Sequence, residues 1–326
     1  MKSSLHPVRV DAIRDEAPGI RSFVVSRIDG APFDAYEAGA HIDVTGPSGI
    51  VRQYSLCGDP DDTRRHVFAV KREPASRGGS SALHDHVEVG TQLVIGAPRN
   101  RFRLAPQAGS HVLDGAGIGV TPLVSMAYRL VRDGAPFVLH YFVRSEAHAA
   151  FLPLLTQSPF GERLRLHCGV EPADLDTTLA GILAPCEADA HVYTCGPGPF
   201  MDQVIDTASR HVPTDAVHFE RFSAEADRTE APDATANAST FDIRLARSGQ
   251  TVRVNPGISI VDALASIGVE IDTSCGEGVC GTCMIDVVDG EPDHRDHCLS
   301  QAERAGGKTI CCCVSRSRSP LLVLDL

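Results

Sequence analysis

Apolar and polar positions change rhythm twice along this chain of 326 residues. Over residues 5–104 they alternate in short runs closed by glycine, proline or charge: "SFVVSRI", "HIDVTG", "VRQYSLCG", "HVFAVKRE" and "TQLVIGAP". A period of two, with turn residues this dense, predicts a small antiparallel β-barrel. One stretch, "GGSSALHDHV", breaks the alternation and predicts a loop entering a short helix. From residue 108 strand-like and helix-like spacings take turns. "SHVLDGAG" reads as a strand, "PLVSMAYRLVRDG" as a helix, "FVLHYFVRS" as a strand and "HAAFLPLLTQ" as a helix. The strands "LRLHCGV" and "HVYTCGP" follow, and the second opens a helix over "PFMDQVIDTASR". Such alternation implies a parallel, doubly wound α/β sheet.

Residues 223–239, "SAEADRTEAPDATANAS", offer almost nothing to bury and read as a tether. Beyond it, "FDIRLARSGQTVRV" predicts a strand pair turning at Ser248-Gly249, and "SIVDALASIG" a helix. "MIDVVDG" and "LLVLDL" then close an α+β unit. The expected organisation is a barrel domain over 1–105, an α/β domain over 106–222, a linker over 223–239 and an α+β domain over 240–326.

Charge and composition narrow the function. A net charge of −12 argues against nucleic acid, whose phosphates would repel such a surface. The C-terminal unit carries 12 acidic against 8 basic residues, which suits a basic patch on a protein partner. No apolar run reaches the roughly 18 residues of a membrane span. "MKSSLHPVRV" has no apolar signal core, so a cytoplasmic protein is expected.

Seven of the eleven cysteines fall after residue 270, which favours metal ligation over a disulfide framework. "CGEGVCGTC" spaces Cys275, Cys280 and Cys283 as C-x4-C-x2-C, and a distant "CCC" holds Cys311, Cys312 and Cys313. Soft, anionic thiolates at this spacing, with a remote fourth cysteine, are the plant-type arrangement for a [2Fe–2S] cluster. Zinc favours paired C-x2-C knuckles, and only one such pair is present. Gly276, Gly278 and Gly281 permit a loop that turns its amide N–H groups towards cluster sulfurs. On an extended strand Cys311 and Cys313 share a face while Cys312 points away. The pattern therefore leaves Cys311 and Cys313 open, with Cys298 as a third candidate.

The α/β part carries two glycine-rich turns. "LDGAGIGVTP" gives Gly117-x-Gly119-x-x-Pro122 between a strand and a helix. There glycines let the backbone approach a pyrophosphate, and the helix N-terminus supplies free N–H donors. Thr121 fits as the N-cap and Pro122 as the first helical residue. "YTCGPGPFM" forms the second turn, with Cys195, Gly196 and Pro197. Arg144 and Ser145 end a strand where an NAD site has an acidic residue, and a basic residue there suits a 2′-phosphate. In the barrel, "RGGSSALHDHV" places Gly78, Gly79 and Ser80 ahead of a short helix, again a phosphate geometry. Ala69, Val70 and Lys71 of "FAVKRE" offer a strand edge to a planar ring, and "HFERF" ends on aromatic Phe222.

These motifs, together with "RQYSL" (Arg52 to Leu56) and in this order, resemble the phthalate dioxygenase reductase family, which includes the reductase components of vanillate-type O-demethylases. The C-terminal unit by itself is similar to plant-type ferredoxins. The resemblance implies FMN, NADH and a [2Fe–2S] cluster as cofactors, and a Rieske-type terminal oxygenase acting on an aromatic compound as partner. It implies that Arg52, Gln53, Tyr54 and Ser55 hold the flavin, with Arg52 at the phosphate, Tyr54 on the ring face and Ser55 near N5, where hydride arrives. It implies further that Cys195, Gly196 and Pro197 line the nicotinamide, and that Cys313 is the fourth ligand. NADH runs against the basic reading of Arg144. The expected protein is a monomeric oxidoreductase passing electrons from NADH through FMN and [2Fe–2S] to an oxygenase. Two alternatives remain: an iron–sulfur carrier with degenerate first units, and a reductase serving a cytochrome P450.

Overall fold

The computed structural model describes residues 5–74, 78–222 and 239–326, so all but the last residue of the expected tether lies outside the described residues. The chain divides into two compact units, Met1–Glu220 and Arg221–Leu326. Among the described residues no helix is long and apolar enough to cross a membrane.

The first unit opens with β1 (Leu5–Ala17), β2 (Ile20–Arg27), β3 (His41–Thr45), β4 (Val51–Ser55), β5 (His66–Lys71), α1 (Gly79–His86) and β6 (Gln92–Gly96). The strands lie in the order β4-β3-β6-β1-β2-β5, every pair antiparallel. A backbone bridge between Leu56 and Phe68 joins the two edges. Closure around Phe23, Ile42, Leu56, Phe68 and Ile95 makes a barrel whose interior is filled by side chains. β1, absent from the expected runs, is the longest strand at 13 residues and bends at two bulges.

The same unit continues with β7 (Ser110–Ala116), α2 (Val120–Asp133), β8 (Phe137–Val143), α3 (Leu152–Leu155), β9 (Leu164–Cys168), α4 (Pro172–Leu183), β10 (Ala190–Cys195), α5 (Gly198–Ala208) and β11 (Val217–Glu220). The sheet order β11-β10-β7-β8-β9 is parallel throughout. Leu123, Val124 and Ala127 of α2 pack on one face, and Leu179 of α4 with Val204 of α5 on the other. The helix expected over "HAAFLPLLTQ" is a single turn, because Phe151 takes a left-handed φ of 61° ahead of it. Barrel and sheet interlock. Gly39 N–H donates to Ser125 Oγ at 2.9 Å, the Ala105 N–H to Tyr193 Oη at 2.8 Å, and Phe102 packs with Leu113 and Met126 in one core.

The second unit contains β12 (Phe241–Leu245), β13 (Thr251–Val254), α6 (Ile260–Ser266), β14 (Met284–Asp289), β15 (Pro292–Asp293), α7 (Gln301–Gly306), β16 (Thr309–Cys311), β17 (Arg316–Ser317) and β18 (Leu321–Leu324). Five strands form a mixed sheet, β13-β12-β18-β14-β16, with β15 and β17 paired beside it. Ile260, Ala263 and Leu264 of α6 complete its core, and Ser259 caps that helix by accepting from the Asp262 N–H at 3.0 Å. The cysteine loop occupies the crossover from α6 to β14.

Candidate functional site

Between α6 and β14 the chain turns through three left-handed glycines, Gly276, Gly278 and Gly281. Gly278 shows why no side chain fits: a Cβ there would sit 2.6 Å from Val314 Cγ2 and 3.0 Å from Asp296 Cα. The loop brings Cys275 against Cys280 and Cys313, and Cys283 against Cys311 and Cys313. The sulfurs of Cys283, Cys311 and Cys313 lie within 4.8 Å of one another. Backbone N–H groups already point at sulfur, from Glu277 to Cys275 at 3.3 Å and from Cys313 to Cys283 at 3.4 Å. Neighbouring Cys311 and Cys313 draw the Cys283 thiol well down, and Cys280 and Cys313 lower Cys275 likewise. Contacts with Cys283, Cys298 and Cys313 push Cys311 far up.

The extended strand expected through the "CCC" run stops at its first cysteine. β16 ends at Cys311 and residues 312–314 form a turn, so strand alternation does not reach Cys313. The turn itself carries Cys313 back to both Cys275 and Cys283, while Cys312 is buried with its thiol towards the Ile310 carbonyl at 3.9 Å. Four soft donors in two adjoining pairs, Cys275 with Cys280 and Cys283 with Cys313, fit a two-iron cluster.

In the α/β sheet, Gly117–Gly119 wind a tight turn and α2 begins at Val120 with Gly119 as its cap residue. Thr121 is therefore inside the first helical turn rather than the cap, and its hydroxyl donates to the Ile118 carbonyl at 2.9 Å. Pro122 stands third in the helix, where it has no intrahelical N–H bond to forfeit. A Cβ on Gly119 would lie 2.2 Å from the Cys195 carbonyl oxygen, and one on Gly196 would lie 2.9 Å from Ala116 Cβ. The two glycine turns thus touch, and Pro197 caps α5 beside the N-terminal end of α2. Arg144 is exposed at the end of β8, and Ser145 Oγ pairs with His148 Nδ1 at 2.9 Å.

In the barrel, Gly78 (φ 93°) admits the chain to α1, and a Cβ on Gly79 would approach Arg52 Cγ to 3.1 Å. Arg52 and the N-terminus of α1 therefore share one small cradle, which suits a phosphate. Gln53 donates to Asp43 at 2.8 Å, and Tyr54 has one face stacked on Phe68 at 5.6 Å. Ser80 accepts from the Glu73 N–H at 3.1 Å, and the Val70 carbonyl meets His84 Nε2 at 2.9 Å. Ala69 is buried beside it, and Lys71 is exposed and paired with Glu73. Phe222 is exposed and lies past the end of the first unit.

The residues sequence reasoning missed are Glu220 and His41. Ser55 Oγ donates to Glu220 Oε2 at 3.1 Å, and His41 Nδ1 lies 3.3 Å from Glu220 Oε1. Glu220 is also the register partner of Cys195, whose buried thiol is pushed well up by desolvation and then by that carboxylate. The "RQYSL" strand and the second glycine turn are thus joined by one nearly buried acid. Its signal was the Glu in "HFERF", overshadowed by the aromatics.

The 2Fe-2S iron-sulfur cluster binding domain family matches residues 243–318. The vanillate O-demethylase oxidoreductase of Pseudomonas sp. strain HR199 is 39% identical over 320 residues, 98% of this chain and 99% of the relative. Phthalate dioxygenase reductase, described as a modular structure for electron transfer from pyridine nucleotides to [2Fe–2S], aligns over 99% of this chain and 98% of that one, at 34% identity and TM-score 0.70. The chain belongs to this reductase family. It is an oxidoreductase that carries a 2Fe-2S iron-sulfur cluster binding domain. The family fold also occurs inside larger chains: an intact self-sufficient cytochrome P450 monooxygenase matches at TM-score 0.86 and 35% identity over 99% of this chain, which spans 41% of that structure.

Proposed function

We propose that the chain is the reductase component of a multicomponent oxygenase, carrying electrons from NADH through FMN and the cluster to a Rieske-type terminal oxygenase in the cytoplasm. The observation that carries this is the convergence of Ser55, Glu220 and Cys195, which brings a flavin motif and a nicotinamide turn to one place. When bound, nicotinamide supplies a hydride, the flavin takes the electron pair, and the cluster carries electrons singly. Arg52 and the α1 N-terminus would hold the one phosphate of FMN. Tyr54, with one face on Phe68, would offer the other to the flavin ring, and Ser55 would turn its hydroxyl oxygen towards it. Glu220 fixes that hydroxyl, and His41 steadies Glu220. Gly117, Gly119 and the α2 N-terminus take the pyrophosphate, while Cys195, Gly196 and Pro197 wall the nicotinamide. Cys275, Cys280, Cys283 and Cys313 ligate the cluster. Residues 1–105, 106–222 and 240–326 are assigned as the flavin, nicotinamide and ferredoxin domains of a monomer.

The likeness to the self-sufficient P450 supports a second reading, in which the acceptor is a cytochrome P450. One experiment separates them. The purified chain, whose released flavin should chromatograph as FMN, is mixed with NADH and either a Rieske-type oxygenase or a P450, and acceptor reduction is followed by absorbance. Rapid reduction of the Rieske centre alone supports the first reading, and rapid reduction of P450 alone replaces it with the second.

A further inference from the structure

Two cysteines outside the proposed ligand set form a line behind it. Cys311 Sγ lies 3.8 Å from Cys283 Sγ and 3.4 Å from Cys298 Sγ, and the Cys298 thiol lies 3.7 Å from Asp296 Oδ2. Both ends of the line are rigid. Cys311 is fully buried and paired across the β14–β16 ladder with Met284, the residue after Cys283, and the Cys312 N–H donates to the Cys283 carbonyl at 3.1 Å. Asp296 is 1% exposed, and its carboxylate accepts from the Leu299 N–H at 2.9 Å and from the Ser315 hydroxyl at 3.3 Å. The segment around Asp296 also backs onto the cysteine loop, where the His297 N–H donates to the Gly278 carbonyl at 2.8 Å.

We propose that Cys311 is a tuning residue, a thiol that donates its S–H to the ligand sulfur of Cys283. A ligating cysteine is a thiolate and can only accept, and so can a carboxylate. Between these two anions stand two thiols with one proton each. Cys298 gives its proton to Asp296, and of the two sulfurs beside Cys311 the Cys283 thiolate is a stronger acceptor than the neutral Cys298 thiol, so the Cys311 proton goes to Cys283. The central sulfur pair then meets with its hydrogens pointing apart. A donor on a ligand sulfur stabilises the more negative, reduced cluster and so raises its reduction potential. The proposal rests on Cys313, not Cys311, being the fourth ligand.

The test uses the full holoprotein, with iron and sulfide counted per chain and the cluster midpoint potential read by EPR-monitored redox titration. Cys311→Ala and the better-filling Cys311→Val remove the donor, Cys311→Ser keeps one, and Cys298→Ala disturbs the same wall without touching Cys283. The expected result is a full cluster in all four. The potential should shift downward in the Ala and Val variants and not in Cys311→Ser or Cys298→Ala. Full clusters with an unshifted potential in Cys311→Ala and Cys311→Val would overturn the tuning role, as would an equal downward shift in Cys298→Ala. Loss of iron and sulfide from Cys311→Ala, Cys311→Val and Cys311→Ser together would instead overturn the ligand set beneath it.

Discussion

The two units build their sites from different materials. In Arg221–Leu326 the cluster site is made of side chains, a set of sulfurs that only cysteine can supply. In Met1–Glu220 the proposed cofactor sites are made chiefly of backbone: glycine turns at Gly78, Gly117 and Gly119, helix N-termini, and a strand edge. A site of side chains is concentrated, and each member is indispensable. A site of backbone is spread over many N–H groups, and any one side chain contributes a fraction. The difference governs how each should respond to substitution.

The sharpest way to break this contrast is Cys313→Ser. Removing one of four ligands should cost more than the roughly 10- to 100-fold in metal affinity that an outer partner is worth. Iron and sulfide analysis should show almost no cluster, while NADH oxidation by ferricyanide through the first unit stays close to wild type. Loss of both together would show that the units do not divide the work this way.

The next largest effect concerns stability. Asp114 on β7 is fully buried, neither carboxylate oxygen has a hydrogen-bond partner among the described residues, and desolvation alone raises it to about 7. A carboxyl raised in the folded state stays protonated while the unfolded chain ionises. Its contribution is fully present below pH ~4 and is lost as the pH rises to about 7. Asp114→Asn should therefore stabilise the first unit at pH 8 by up to about 4 kcal/mol, and by little at pH 4. Thermal melts at the two pH values measure this, and an equal change at both would count against a buried, uncompensated acid.

Most of the fold is legible in the sequence because its signals are local. The barrel runs, the parallel strands and the Ser248-Gly249 turn all recur in the structure. β1 escapes notice because "LHPVRVDAIRDEA" mixes charge into its apolar positions and its two bulges shift the phase of the alternation. α4 carries Leu175, Leu179 and Leu183 four residues apart, a helical stripe legible in the sequence. α7 likewise announces itself by a capping box, Ser300 with Glu303. The site divides in the same way. Cysteine spacing is local, and so is a glycine turn. The Ser55–Glu220 contact spans 165 residues, and no local pattern encodes it.

Within the first unit, Ser55→Ala tests whether one side chain matters where backbone dominates. It removes one hydrogen bond to a charged group, worth about 1.5–3 kcal/mol, so flavin reduction by NADH should slow roughly 10- to 100-fold with the cluster intact. Stopped-flow reduction measures this, and an unchanged rate would leave Ser55 a structural partner of Glu220 alone. The smallest effect is expected at exposed Arg144. Arg144→Glu should lower kcat/KM for NADPH a few-fold, in line with an exposed ion pair of about 0–1 kcal/mol, and leave NADH nearly unchanged. A larger loss with NADH would move Arg144 from the 2′ position to the body of the nucleotide site.

The most direct measurement is anaerobic addition of NADH to the purified, fully loaded chain, with flavin absorbance and cluster EPR recorded on the same sample. Electron passage along one chain predicts that the flavin bleaches and the reduced-cluster EPR signal then grows in without any added mediator. A flavin that bleaches beside a cluster that stays oxidised at equilibrium would contradict it.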